Sequence, residues 1–137
     1  GTNRGWPVRG NRKYLLQRIE WTGSTPFDVH TISARKTGFA VSFTKPVDAK
    51  TASDPNNYKL RSFTHIFQKF YGSPEVDETF PTVTQATPSA DGKSVTLTVS
   101  GLVEGHVHDF DFTGVRSADD EPLVHTTAHY TLNRIPK

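Results

Sequence analysis

The sequence predicts an all-β chain folded as a two-sheet antiparallel β-sandwich of about seven or eight strands. Three observations carry that expectation. Within residues 38–48, GFAVSFTKPVD, Phe39, Val41 and Phe43 alternate with small or polar residues at the period of a half-buried strand, and Lys45-Pro46 then stops the ladder. Within residues 94–99, Val95, Leu97 and Val99 alternate as cleanly behind an Asp91-Gly92 turn signal. No long helical period interrupts the chain, and nine Pro with ten Gly punctuate its apolar runs. A length of 137 residues suits one domain, large enough to bury a core without metal or disulfide staples.

Residues 1–12 mix Gly, Arg and Asn with Trp6 and have no periodicity, so they read as an arm or linker, with the domain proper over residues 13–137. Residues 13–21 are expected to form a strand, with Leu15, Ile19 and Trp21 facing inward and Tyr14, Leu16, Arg18 and Glu20 on the opposite face. TGSTP at 22–26 is a turn. Residues 29–34 make a short strand that pairs as a hairpin, through Lys36-Thr37-Gly38, with the central strand that opens at Gly38. VDAKTASDPNN at 47–57 carries Asp48, Ser53, Asp54 and Pro55 as cap and turn residues, which suits one short helical turn before extended chain resumes at Tyr58.

In residues 62–71, SFTHIFQKFY, the spacing of Phe63, Phe67 and Phe70 fits a helix, but the β-branched and aromatic content favours a strand. YGSPEVD at 71–77 reads as a loop. Residues 82–86 and 94–99 flank the SADGK hairpin, whose Asp91-Gly92 pair is expected to supply positive φ values. The next strand, 106–112, carries His106, His108, Phe110 and Phe112 on one face and Val107, Asp109 and Asp111 on the other. Residues 128–132 form the last strand.

Charge and composition exclude several functions. Sixteen basic against fourteen acidic side chains leave a formal charge of +2, which does not point to nucleic acid. Most of the excess is Arg4, Arg9, Arg12, Lys13 and Arg18, a basic stretch that reads as a solvated tail. With no Cys there is neither a disulfide framework nor a thiolate site. No apolar run approaches the roughly 20 residues of a membrane helix, so neither membrane insertion nor a signal peptide within these residues is expected. A chain that begins at Gly1 and contains no Met is expected to be a piece of a longer protein.

The order GFAVSFTKPVDAKTASDPNNYKL, then VTQATPSADGKSVTLTVSGLVEGHVHDFDFTGVRSADDEPL, resembles the bacterial Ig-like domains of the surface-layer type, over about residues 31–123. That resemblance implies an Ig-like sandwich, a module that serves as spacer, docking domain or sugar binder. GTNRGW, RKYLLQRIEWTG, YGSPEVD, EGHVHDFDF and YTLNRIP extend the likeness to both ends. Together they resemble the carboxy-terminal domain of secreted bacterial proteins related to glucose/sorbosone dehydrogenases, where it follows a β-propeller and often accompanies a c-type haem module. The resemblance implies a secreted or periplasmic parent whose other domains, such as a β-propeller, are the partners. The chain has no propeller repeat, no Cys-x-x-Cys-His and no dehydrogenase site, so the parent's redox chemistry does not carry over and no cofactor is expected.

Three constellations remain as candidate sites. His106 and His108, two apart on a strand, emerge on one face and could share copper or zinc with Glu75, Asp77, His125 or His129. The competing expectation is a hydrogen-bonded histidine at the rim of the core, since in the Ig-like pattern His108 takes the place of an inward aromatic. Glu75 and Asp77, beside Tyr71, suggest a carboxylate site or a calcium loop, but nothing near them sets their acidities apart as acid–base catalysis needs. Trp6, Trp21, Phe67, Phe70 and Tyr71 could stack against a saccharide, the alternative being that most of these aromatics lie in the core; Trp21 is expected inward and Trp6 and Tyr71 exposed. There is no Gly-x-Ser-x-Gly elbow and no phosphate-cradling glycine loop, so catalysis by this chain alone is not expected. The functional expectation is an accessory module for interdomain docking or protein interaction, with a carbohydrate-binding module as the alternative and a small copper or zinc domain as a further one.

Overall fold

The computed structural model describes residues 16–137. In chain order they form β1 (Val29–Arg35), β2 (Gly38–Phe43), the helix α1 (Ala49–Ser53), a 3₁₀ turn (Pro55–Asn57), β3 (Lys59–His65), β4 (Glu75–Thr79), β5 (Thr82–Pro88), β6 (Ser94–Ser100), β7 (His106–Asp111) and β8 (Thr127–Leu132). The eight strands pair antiparallel in two sheets of four, ordered β1-β2-β6-β5 and β4-β3-β7-β8. This is the expected Ig-like sandwich. Among the described residues no helix is long and apolar enough to cross a membrane.

The core follows from the two alternations that predicted it. Phe39, Val41 and Phe43 of β2 are buried, and β6 sets Leu97 opposite Phe39 and Val95 opposite Val41. Side chains two apart share a face, so this sheet presents one apolar layer inward. The facing layer comes from Leu60 of β3 and Phe110 of β7, continued by Phe112 just beyond that strand. Phe39 meets Phe110 edge to face at 5.0 Å across the gap, and Phe110 stacks on Phe112 at 5.5 Å. Each such fully buried side chain is worth about 1.5–3 kcal/mol of transfer free energy, so these layers supply the main driving force for closing the sandwich.

Local chemistry joins the strands as the residues suggest. The β1–β2 hairpin turns at Lys36-Thr37, with Arg35 opposite Gly38. Gly38 lies at φ +156°, and a Cβ there would sit 1.9 Å from the Leu97 carbonyl oxygen, so only glycine lets β2 lie this close to β6. Asp48 caps α1 by accepting from the Thr51 amide at 2.8 Å, and those bonds hold its carboxyl below the usual carboxylate range. The buried Tyr58 hydroxyl donates to the Ala52 carbonyl at 2.7 Å, locking the helix onto the start of β3. Burial, with the Asp54 charge adding to it, drives the Tyr58 phenol's acidity far down.

Four expectations are corrected. Residues 13–15 lie outside the described part, and residues 16–21 form no strand: Leu16 is 99% exposed, Ile19 97% and Trp21 72%. Alternation marks an amphipathic segment, but a strand also needs a partner ladder, and no described strand pairs with this one. The strand expected over 62–71 ends at His65, where its partner β4 begins, so residues 66–74 leave the sheet as a loop with Phe67, Phe70 and Tyr71 exposed. Glu75 and Asp77 belong to an edge strand and not to a loop; EVDET carries charge where apolar alternation was sought, as edge strands commonly do. At the Asp91-Gly92 turn only Gly92 has positive φ, while the Asp91 carboxylate accepts from the Lys93 amide at 3.0 Å and from the Ser89 hydroxyl at 2.6 Å.

Candidate functional site

The outward face of the β4-β3-β7-β8 sheet gathers the densest set of polar side chains. Inward Leu60 and Phe110 leave Lys59 and Arg61 of β3, and Asp109 and Asp111 of β7, to point the other way. Register then sorts them into two rows. Arg61 lies opposite Asp109, which lies opposite His129 of β8; Lys59 lies opposite Asp111, which lies opposite Thr127. Cross-strand neighbours on one face are close enough for their side chains to meet.

The first row is bonded throughout. Asp109 accepts from Arg61 Nη1 at 3.4 Å and from His129 Nδ1 at 2.6 Å. A carboxylate only accepts, so the His129 proton sits on Nδ1 and Nε2 is left available. Arg61 also donates to Glu75 and Glu78 of β4, and its guanidinium lies 4.4 Å above the Phe63 ring. Those carboxylates hold the guanidinium even more firmly protonated than usual. In the second row Asp111 accepts from the Thr113 amide at 2.8 Å and its hydroxyl at 2.5 Å, bonds that keep it ionised. Phe80, 68% exposed between β4 and β5, edges a groove of about 360 Å3 whose floor is these two rows. A second groove of about 390 Å3 flanks the same ring and shares Lys59 and Leu60.

Expected site residues are only partly brought together. Trp6 lies outside the described residues. Trp21 and Tyr71 are both exposed, in separate irregular segments, so Trp21 is not inward as expected. Glu75 joins the Arg61 cluster. Asp77 instead meets His106: a register shift between Ser62 and Thr64 marks a bulge in the β3–β4 pair, Asp77 takes φ +57°, and its Oδ2 lies 3.2 Å from His106 Nε2. The Ser62 hydroxyl sits 3.1 Å from His106 Nδ1, so His106 is hydrogen-bonded, whereas the rim histidine expected from the sequence was His108, whose ring nitrogens have no partner.

His108 is different. It is fully buried against Phe39 at 5.4 Å, and neither ring nitrogen has a protein partner. Burial pushes its pKa below the ordinary histidine value, so it stays neutral. Among the described residues no three His, Asp or Glu side chains stand where they could hold one metal ion.

The chain's fold neighbours are domains of a bacterial S-layer protein. The N-terminal part of the S-layer protein SbsC matches with a TM-score of 0.61 and 25% identity, over 80% of this chain and 24% of the neighbour. Domains 1–6 of SbsC match with a TM-score of 0.59 and 24% identity, over 80% of this chain and 14% of the neighbour. The chain thus spans less than a quarter of the length of the solved chains it matches. No family and no curated protein matches it. These neighbours support a bacterial S-layer-type β domain.

Sequence reading passed over Arg61, Lys59, Asp109 and Phe80, and named His129 only as a possible metal ligand. The available signal was the polar half of each alternation, Lys59 with Arg61 and Asp109 with Asp111, which marks one sheet face once the inward half is assigned. The cluster's carboxylates are bonded to Arg61, His129 or Thr113, and an anchored carboxylate is a fixed acceptor.

Proposed function

We propose that the chain is a non-catalytic module of a larger bacterial surface or secreted protein, and that it docks onto a neighbouring domain. One observation carries the docking. Residues 66–74 present Ile66, Phe67, Phe70 and Tyr71 to solvent in one short loop, an apolar concentration that monomeric surfaces seldom leave uncovered. Likeness to domains of the multidomain protein SbsC supports the modular setting. The resemblance to domains that follow a propeller makes a β-propeller the neighbour of choice. Secretion to the cell surface or periplasm belongs to the same reading.

The test uses the adjacent domain of the full-length polypeptide, expressed separately and titrated with this chain. Replacing Phe67, Phe70 and Tyr71 with Ser is expected to weaken that association at least about tenfold while leaving stability within about 0.5 kcal/mol, since the three side chains touch little in their own domain. Undiminished association would overturn docking through this loop. A second reading, carbohydrate binding, is favoured by the exposed Phe80 ring beside a groove whose surface is mostly apolar and whose lining includes Lys59, Asp111 and His129.

A further inference from the structure

The geometry points to the groove beside Phe80 as a saccharide site, in which one sugar ring stacks on the Phe80 face and its hydroxyls bond to Lys59, Asp111 and His129. The inference rests on the carbohydrate reading and is independent of docking through residues 66–74. It moves the site away from Trp6, Trp21 and Tyr71, the aromatics that the sequence singles out.

A sugar ring offers a weakly apolar C–H face and a rim of hydroxyls that both donate and accept. Its receptor therefore needs an exposed flat ring next to polar groups of both kinds, held still in advance. The groove's exposed surface is mostly apolar, and its lining includes such a ring with one unpaired cation and two anchored polar side chains. Phe80 supplies the ring, standing 68% exposed. Lys59 supplies an ammonium donor, and among the described residues no carboxylate lies within ion-pair distance of it. Asp111 supplies a carboxylate kept ionised and fixed through Oδ1 by Thr113, with Oδ2 outside those bonds. His129 supplies Nε2, its ring oriented by the bond from Nδ1 to Asp109. A donor and an acceptor opposite each other in register, Lys59 and Asp111, suit a pair of adjacent hydroxyls.

Size and charge narrow the ligand. About 360 Å3 accommodates one or two sugar rings, and the second groove of about 390 Å3 on the other flank of Phe80 lets a chain continue past the ring. Glu75, Glu78, Asp109 and Asp111 outnumber Arg61 and Lys59 on this face, which disfavours polyanionic glycans. The class is a neutral oligosaccharide.

The experiment is an amide-resolved NMR titration of the full 137-residue chain with chitotriose, cellotriose and maltotriose. Saturable shifts at residues 59–61, 80 and 109–111 with one trisaccharide are expected. Phe80→Ala should weaken that affinity by about tenfold or more and Phe80→Tyr should restore it, with the remaining spectrum unchanged because the ring is exposed. Shifts confined to Trp21 or to residues 66–74 would overturn the groove and leave the carbohydrate reading standing. Silence towards all three sugars would overturn both.

Discussion

His108 carries the clearest energetic anomaly in the molecule. Two ring nitrogens are buried without partners in a position between the sheets, where an apolar ring would lose nothing. The sign of the pH effect follows from burial. The folded-state pKa lies below the ordinary value of about 6.5, so as pH falls through 6.5 the unfolded chain takes up the proton first and stability declines until the folded value is passed. His108→Phe is expected to be at least as stable as the parent at pH 7.5. Its advantage should then grow as pH falls from 6.5 towards 5, read from denaturant midpoints at each pH. Equal acid sensitivity in the two proteins would show that the proton goes elsewhere. His106, two residues away on the same strand face, has Ser62 and Asp77 as partners.

The β1–β2 hairpin shows how an element depends on a single close approach. Its apolar alternation could be met by many sequences, but its distance from β6 could not, because a Cβ on Gly38 would run into the Leu97 carbonyl. That oxygen is backbone of a central strand and cannot swing aside. Gly38→Ala should therefore destabilise the sandwich by more than about 1 kcal/mol, measured by thermal or urea unfolding, whereas Gly→Ala at a compatible position would stabilise. A loss below that would mean that β2 and β6 slide apart at low cost. The same logic of partners explains the strands that sequence reading misplaced. β4 exists because β3 offers it an edge, although EVDET shows little apolar alternation; residues 16–21 alternate well and remain unpaired.

Across the whole molecule, two exposed stretches, residues 16–26 and 66–74, flank or interrupt a core in which nearly every other segment is tied by a ladder or a cap. Brief trypsin treatment should cut first, among the described residues, after Arg18 and Lys69, and leave the fragments associated with native-like β signal. Early cleavage after Lys59 or Arg61 would contradict the packing of β3 against β7. What the sequence determined by itself was the class and most of the core: Phe39, Val41, Phe43, Val95, Leu97, Val99, Phe110 and Phe112 are all legible because period two is a local property of the chain. The capped helical turn and the β1–β2 hairpin were legible for the same reason, being set by neighbours within a few residues. The candidate site was not, because it arises from register. Arg61, Asp109 and His129 are scattered along the chain and become one row only when β3 and β8 pair on either side of β7. Phe80 gains meaning only from the strands beneath it, and the solitude of His108 only from its burial between the sheets against Phe39. Pairing across the sheet and packing between sheets are long-range choices, made by the folded chain as a whole and carried by no short stretch of it.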